Sequence, residues 1–296
     1  MKNNDEITAT ANGGVRTRRP TKTAATVYGG VRTRRPTKTA ATVYGGVRTR
    51  RPTKTVVTAS GSGRRVEKLP LVEMKEALDN GGRVTLLIRH AERPPLDTDD
   101  KTFGASLSLT EHGWRRARNF GLMLANNLLP KSVAFYASET FRTVQTACAM
   151  AMGLDGVGTG QSIERKVRLA DFLGSESPFF GSTEERMALA AEGKYHDRLN
   201  DYFRSGRQRG FRPLKSAAKR MERCLDGLNE KGWPLVVAVT HDINVAAFLA
   251  ARGVVASFSD ETWPDYLDAA AMIKPCNGAA KCLYFRWNYD MGAISL

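Results

Sequence analysis

The sequence predicts an α/β fold, a three-layer α/β/α sandwich with a mostly parallel central sheet, preceded by a basic tail. Three observations carry this expectation. The runs VTLLI (84–88), VAFYA (133–137) and PLVVAVT (234–240) are short, continuous and apolar, as in strands buried on both faces. The segments between them place apolar residues at helical spacing. Strands that alternate with helices build a largely parallel sheet covered by helices. With 296 residues, 42% hydrophobic and 25% charged, the chain has material for a sizeable core.

LVEMKEALDN (71–80) has helical spacing and stops at Gly81-Gly82. The first strand, 84–88, follows at once. Thr110 can cap a long helix whose Trp114, Ala117, Phe120, Leu122, Leu124 and Leu128 favour one side. Arg115, Arg116 and Arg118 read as its solvated face. The strand at 133–137 runs directly into a helix expected from Ser138 to Met152, capped by Ser138. The stretch 155–232 reads as mostly helical and polar, suited to a cap over a site. The strand at 234–240 leads to a short apolar helix, INVAAFLAARG (243–253), which Asn244 can cap, and LYFRW (283–287) suggests a last strand at the sheet edge. Trp263 and Trp287 read as packing residues, and His112 and His196 as surface residues.

The net charge of +15 is unevenly spread. Residues 1–65 hold fifteen Lys/Arg against Asp5 and Glu6, which leaves only +2 for residues 66–296. The unit GGVRTRRPTKTAATVY occupies 13–28 and 29–44 and returns in part at 45–55. Each copy has Gly-Gly, a proline, four cations and little that could be buried, so the tail is expected to be disordered. A solenoid needs a buried face in every repeat, and this unit has none. A weak nucleic-acid contact through Arg-Thr-Arg-Arg is the functional reading of 1–65, and a transit peptide another; the proline in each unit argues against the latter. The plain reading is a solvated extension in front of a catalytic domain at 66–296.

Cys148, Cys224, Cys276 and Cys282 make no disulfide framework in a chain this long and have no zinc-like spacing with a histidine, so they read as reduced. No apolar run approaches a membrane span, and the N-terminus lacks the apolar region of a secretory signal. A cytoplasmic address without membrane association is the expectation.

Two of the four histidines stand in equivalent places. His90 follows one strand and His241 another, each just past the carboxyl end, where parallel sheets bind ligands. Arg89 and Arg93 flank His90, and Arg142 falls near the start of a helix, where its charge opposes the helix dipole unless an anion binds there. Together these residues describe a phosphate pocket: guanidinium groups hold phosphoryl oxygens and an imidazole nitrogen attacks phosphorus. The leaving oxygen needs a proton, and Asp242 is the acid best placed by sequence to give it. His90 must be neutral to attack; Glu92 would favour its protonated form and the arginines oppose it.

These strings resemble the histidine phosphatase superfamily, which includes phosphoglycerate mutases and histidine acid phosphatases. Arg89-His90-Ala91-Glu92-Arg93 resembles its Arg-His-Gly opening. LSLTEHGWRRAR (107–118) resembles its Leu-Thr-x-x-Gly-x-x-x-Ala helix start, and YASETFRTVQTA (136–147) its Ser-x-x-x-Arg-x-x-x-Thr-Ala segment. VVAVTHDINV (236–245) resembles its second histidine, in the His-Asp form of the acid-phosphatase branch. The resemblance implies His90 as nucleophile, Arg89, Arg93, Arg142 and His241 as phosphate ligands, Asp242 as proton donor, no metal and no cofactor. Ala91 stands where glycine is usual. Because the mutase branch takes its donor from a glutamate further along, Glu92, Glu139 and Asp171 remain alternative donors.

The implied activity is hydrolysis of phosphomonoesters through a phosphohistidine. A mutase-like phosphotransferase shares the first half-reaction, and a protein phosphohistidine phosphatase the whole chemistry. Small phosphorylated molecules and phosphoproteins are thus both candidate substrates. His90, Glu92, His241 and Asp242 could instead hold a metal ion in a metal-dependent hydrolase, against which stand three nearby arginines. A catalytically idle phosphate-binding module is the remaining alternative.

Overall fold

The computed structural model describes residues 70–95, 104, 106–128, 130–155, 162–163, 166–192, 195–229 and 231–287. The tail and its repeats, and most of the loop at 94–106, lie outside the described residues. Along the chain come α1 (Pro70–Asp79), β1 (Arg83–Arg89), α2 (Glu111–Leu128), β2 (Ser132–Ala137), α3 (Phe141–Asp155), β3 (Ser162–Ile163) and β4 (Arg168–Leu169). A 3-10 turn (Asp171–Leu173) leads to α4 (Thr183–Ala191), α5 (Tyr195–Ser205), α6 (Leu214–Gly227), β5 (Leu235–Thr240), α7 (Asp242–Ala251), β6 (Ala269–Lys274) and β7 (Lys281–Phe285).

The sheet runs β2-β5-β1-β6-β7, with β3 and β4 following one another along the outer edge of β2. Strands β1 to β5 are mutually parallel, while β6 is antiparallel to both of its neighbours. Side-chain alternation divides the core in two. Leu86, Ile88, Val133, Phe135, Val237 and Ala271 face α1, α2 and α3. Leu87, Ala134, Val236, Ala238, Ala270 and Met272 face α5, α6 and α7. The predicted three-layer architecture is the observed one.

Two differences from the sequence expectation bear on the site. Strand β6 was not foreseen, because Ala269-Ala270-Ala271 carries none of the β-branched residues that mark strands. Its place between β1 and β7 is fixed by tertiary pairing. Helix α3 begins at Phe141, three residues later than expected. Ser138 does not cap it: its hydroxyl lies 2.9 Å from Thr143 Oγ1 and 3.3 Å from His241 Nε2.

The approach of α2 is set at its first residues. Thr110 donates its N–H to the Glu92 carbonyl at 3.0 Å and accepts the Gly113 N–H on its hydroxyl at 2.8 Å, so it caps α2 as predicted. Gly113 is needed there, since a Cβ would stand 2.2 Å from the Glu92 oxygen. Arg115 and Arg118 face solvent, but Arg116 is only 9% exposed and does not share that face.

Candidate active site

Strands β2, β5 and β1 lie side by side and end level with one another. Ser138 N–H bonds Val239 O at 3.1 Å and His90 N–H bonds Thr240 O at 2.9 Å. Ser138, His241 and His90 therefore emerge in a row from one edge of the sheet. The imidazole centroids of His90 and His241 are 5.5 Å apart, with the rings at 71°.

His90 is 4% exposed. Its Nδ1 lies 2.8 Å from the Ala91 carbonyl oxygen, which can only accept, so Nδ1 carries the proton and Nε2 the lone pair. That lone pair accepts Arg142 Nε–H at 3.2 Å. Ala91, buried, is held by its N–H donating to Thr146 Oγ1 at 3.0 Å. Burial first, then the positive field of His241, Arg142 and Arg89, pushes the His90 pKa well below that of a free imidazole.

Arg142 lies in the first turn of α3. It donates to Gly104 O at 2.5 Å and lies 3.4 Å from His241 Nδ1. Burial and then the charge of Arg93 pull its pKa down to about 10, so it remains a cation at neutral pH. His241 is drawn down to about 4 by burial and by Arg142. Arg89 lies on the other side, its Nη1 donating to Pro264 O at 2.7 Å and its Nη2 3.4 Å from Asp242 Oδ2. The Nε groups of Arg89 and Arg93 are buried and have no hydrogen-bond partner among the described residues. Unsatisfied donors of this kind are costly unless an acceptor joins them.

Asp242 accepts the Ile243 N–H at 2.8 Å and the Trp263 indole N–H at 3.3 Å. Burial works to raise its pKa; Arg89, the indole donor and His90 more than offset that and hold it near 2. The geometry thus gathers Arg89, His90, Arg142, His241 and Asp242 about one point, with the charge of Arg93 close enough to act on Arg142.

A model of the histidine phosphatase superfamily (branch 1) matches residues 85–259. The chain belongs to the histidine phosphatase superfamily. Similar solved structures include a phosphoglycerate mutase from Bacillus anthracis, 16% identical, with 70% of this chain and 94% of that one covered and a TM-score of 0.42. A putative alpha-ribazole-5'-P phosphatase from Escherichia coli is 18% identical, with 69% and 96% covered and a TM-score of 0.41. A mycobacterial glucosyl-3-phosphoglycerate phosphatase is also 18% identical, with 70% and 100% covered and a TM-score of 0.41. No curated protein matches the chain.

In this member of the superfamily the other candidate acids sit differently from Asp242. Glu92 accepts the Thr110 hydroxyl at 2.8 Å and lies 2.9 Å from His112 Nδ1, and the His112 contact leads the causes that lower its pKa. Glu139 is exposed and accepts the Ser175 N–H at 2.9 Å, near enough to His241 for its charge to be felt there. Asp171 is exposed in the 3-10 turn. Among the described residues no group of three or more His, Cys, Asp or Glu side chains could hold a metal ion.

Several neighbours of the site escaped sequence reasoning. Ser138, read as a helix cap, reaches His241, and Thr146, visible only as a motif letter, holds Ala91. Trp263, read as packing, also bonds Asp242, and His196, read as a surface residue, stacks on Trp263 with centroids 4.5 Å apart. Asn244 does not cap α7, whose N-cap is His241. It is buried and joins Ser177 Oγ at 2.7 Å, Thr240 Oγ1 at 2.8 Å and Leu173 O at 3.1 Å. That network ties the loop at 173–177 to the turn carrying His241 and Asp242.

Proposed function

We propose that this chain is a phosphatase that hydrolyses phosphomonoesters without a metal ion, through a covalent phosphohistidine on His90 Nε2. The single observation that carries the reading is the tautomer of His90: its proton is committed to Ala91 O, so the lone pair lies on Nε2, on the side of the Arg142 guanidinium. A phosphoryl oxygen arriving there competes for the Arg142 N–H and frees the lone pair to attack.

Arg89, Arg93, Arg142 and His241 would hold the phosphoryl oxygens, the arginines presenting N–H groups to developing negative charge. The Nε2–P bond forms as the P–O bond to the leaving group breaks, and Asp242 protonates the departing oxygen. Asp242, now a carboxylate, takes a proton from a water whose oxygen attacks phosphorus, releasing phosphate and restoring His90. In the free protein Asp242 is ionised beside Arg89. A bound phosphate dianion draws on that same guanidinium, and this favours return of the proton to Asp242.

Asp242 is preferred to Glu92, Glu139 and Asp171 because it pairs with a phosphate-binding arginine and sits beside His241. The helices of 155–232 would cap the site and, with the loop at 94–106, select the substrate, which is a small phosphorylated molecule or a phosphoprotein. In the same reading residues 66–296 form the catalytic domain and 1–65 a basic extension. The four cysteines are free thiols and no helix among the described residues is long and apolar enough to cross a membrane; a cytoplasmic location fits both facts.

The test is phosphate release from p-nitrophenyl phosphate in EDTA, by the full chain and by His90→Ala, with acid-quenched samples probed for phosphohistidine. Turnover that survives the chelator, disappears with His90 and leaves acid-labile phosphoryl protein would support the mechanism. Activity that needs an added divalent ion would replace it with the metal-dependent reading. Binding of phosphate with no turnover would replace it with the idle module.

A further inference from the structure

Arg89 is held by its neighbours on several sides. Besides its contacts with Pro264 O and Asp242, its guanidinium carbon lies 4.3 Å from the centroid of the Tyr266 ring. Its Nε is buried and without a partner among the described residues. Pro264 and Tyr266 belong to one short segment, 263–268, which also supplies the Trp263 indole to Asp242. The backbones are joined as well: Arg89 N–H bonds Asp268 O at 2.9 Å and Leu267 N–H bonds Arg89 O at 3.3 Å.

The segment is strained at one residue. Leu267, fully buried, has φ 69°, the one positive φ of a non-glycine among the described residues. A leucine in the left-handed region costs roughly 1 kcal/mol or more and persists only where its surroundings impose it. The consequence is local: Tyr266, just before it, is turned back over Arg89, with its ring centroid 5.8 Å from that of His90.

We propose that Tyr266 is a positioning residue of the phosphate pocket, whose ring fixes the plane of the Arg89 guanidinium so that Nε faces the phosphoryl group at His90. The inference rests on the histidine mechanism above. The ring face does the work through cation–π attraction and packing, so the hydroxyl is dispensable. Without the ring the guanidinium can pivot about its contacts to Pro264 and Asp242, and phosphate must then reorder it on binding.

The full chain would be assayed as wild type, Tyr266→Phe, Tyr266→Leu, Arg89→Lys and the Arg89→Lys/Tyr266→Leu double variant, with orthovanadate and inorganic phosphate as competitive inhibitors. Tyr266→Leu is expected to raise KM and the vanadate inhibition constant about tenfold, with a smaller effect on kcat, and Tyr266→Phe to restore both to within about twofold. In the Arg89→Lys background, which lacks the planar cation, Tyr266→Leu should add little. Unchanged constants in Tyr266→Leu, equal defects in Phe and Leu, or additive losses in the double variant would each overturn the proposal. Retained activity in His90→Ala would instead overturn the mechanism beneath it, so the two failures are distinguishable.

Discussion

His90 and Asp242 are held by their surroundings in opposite states. The imidazole is kept neutral by burial and neighbouring cations, and the carboxyl is kept ionised by Arg89 and the Trp263 indole. Because the His90 pKa is lowered, attack should persist at pH values below 6.5, where a free imidazole would be protonated. The other required proton, shared between Asp242 and a phosphate whose second pKa is about 6, is lost as pH rises. For an alkyl phosphate, kcat/KM is therefore expected to be highest on the acidic side and to fall above about pH 6, as a pH profile would show. Asp242→Asn should lower kcat/KM, which reports the step that expels the leaving group, roughly 10²–10⁴-fold for that ester, yet do much less to kcat/KM for p-nitrophenyl phosphate, whose leaving group needs no proton. Equal losses on both esters would mean that Asp242 acts by holding Arg89 rather than by giving a proton.

The packing of α2 on α3 carries Arg142 to the site. Gly121 and Gly153 let these helices touch: a Cβ on Gly121 would stand 2.0 Å from Met150 O, and one on Gly153 2.0 Å from Arg118 O. Both neighbours are helix backbone, which cannot step aside. Gly121→Ala or Gly153→Ala should each destabilise the protein by about 1–3 kcal/mol in thermal or urea unfolding. Gly227→Ala, at the end of α6 with nothing within 4 Å of its Cβ, should be neutral or gain about 0.5–1 kcal/mol. An equal loss at Gly227 would deny the contact its role. Nothing in the letters GLMLANN or AMGLD distinguishes such glycines, whereas β1, β2 and β5 were legible because buried parallel strands are almost wholly apolar. The histidines were legible for the same reason, each being a polar residue where an apolar run stops. The segment 263–268 has no periodicity, and its bond to Arg89 spans 175 residues, so its part in the site appears only once the chain is folded.

Folding itself assembles the site: Arg89, Arg142, His241 and Tyr266 come from four stretches of chain that meet only because β2, β5, β1 and β6 are neighbours. Clustering cations and imidazoles in this way should leave a mark on stability. His241 titrates at about 4 when folded, against 6.5 for an unperturbed imidazole. Between those values the unfolded chain takes up a proton that the folded one refuses. Stability should therefore fall as pH drops from about 6.5 towards 4, and this group should add nothing further below that. His90, lowered as well, acts in the same direction. Since His241 is partly exposed, solvent screening reduces its share to on the order of 1–2 kcal/mol. Urea midpoints at pH 7, 5.5 and 4.5 would measure the slope, and His241→Asn, which cannot titrate, should flatten it. An unchanged slope in that variant would place the acid sensitivity elsewhere. Saturating inorganic phosphate should raise the midpoint of the wild type at each pH, because a ligand that binds only the folded protein draws the equilibrium towards it.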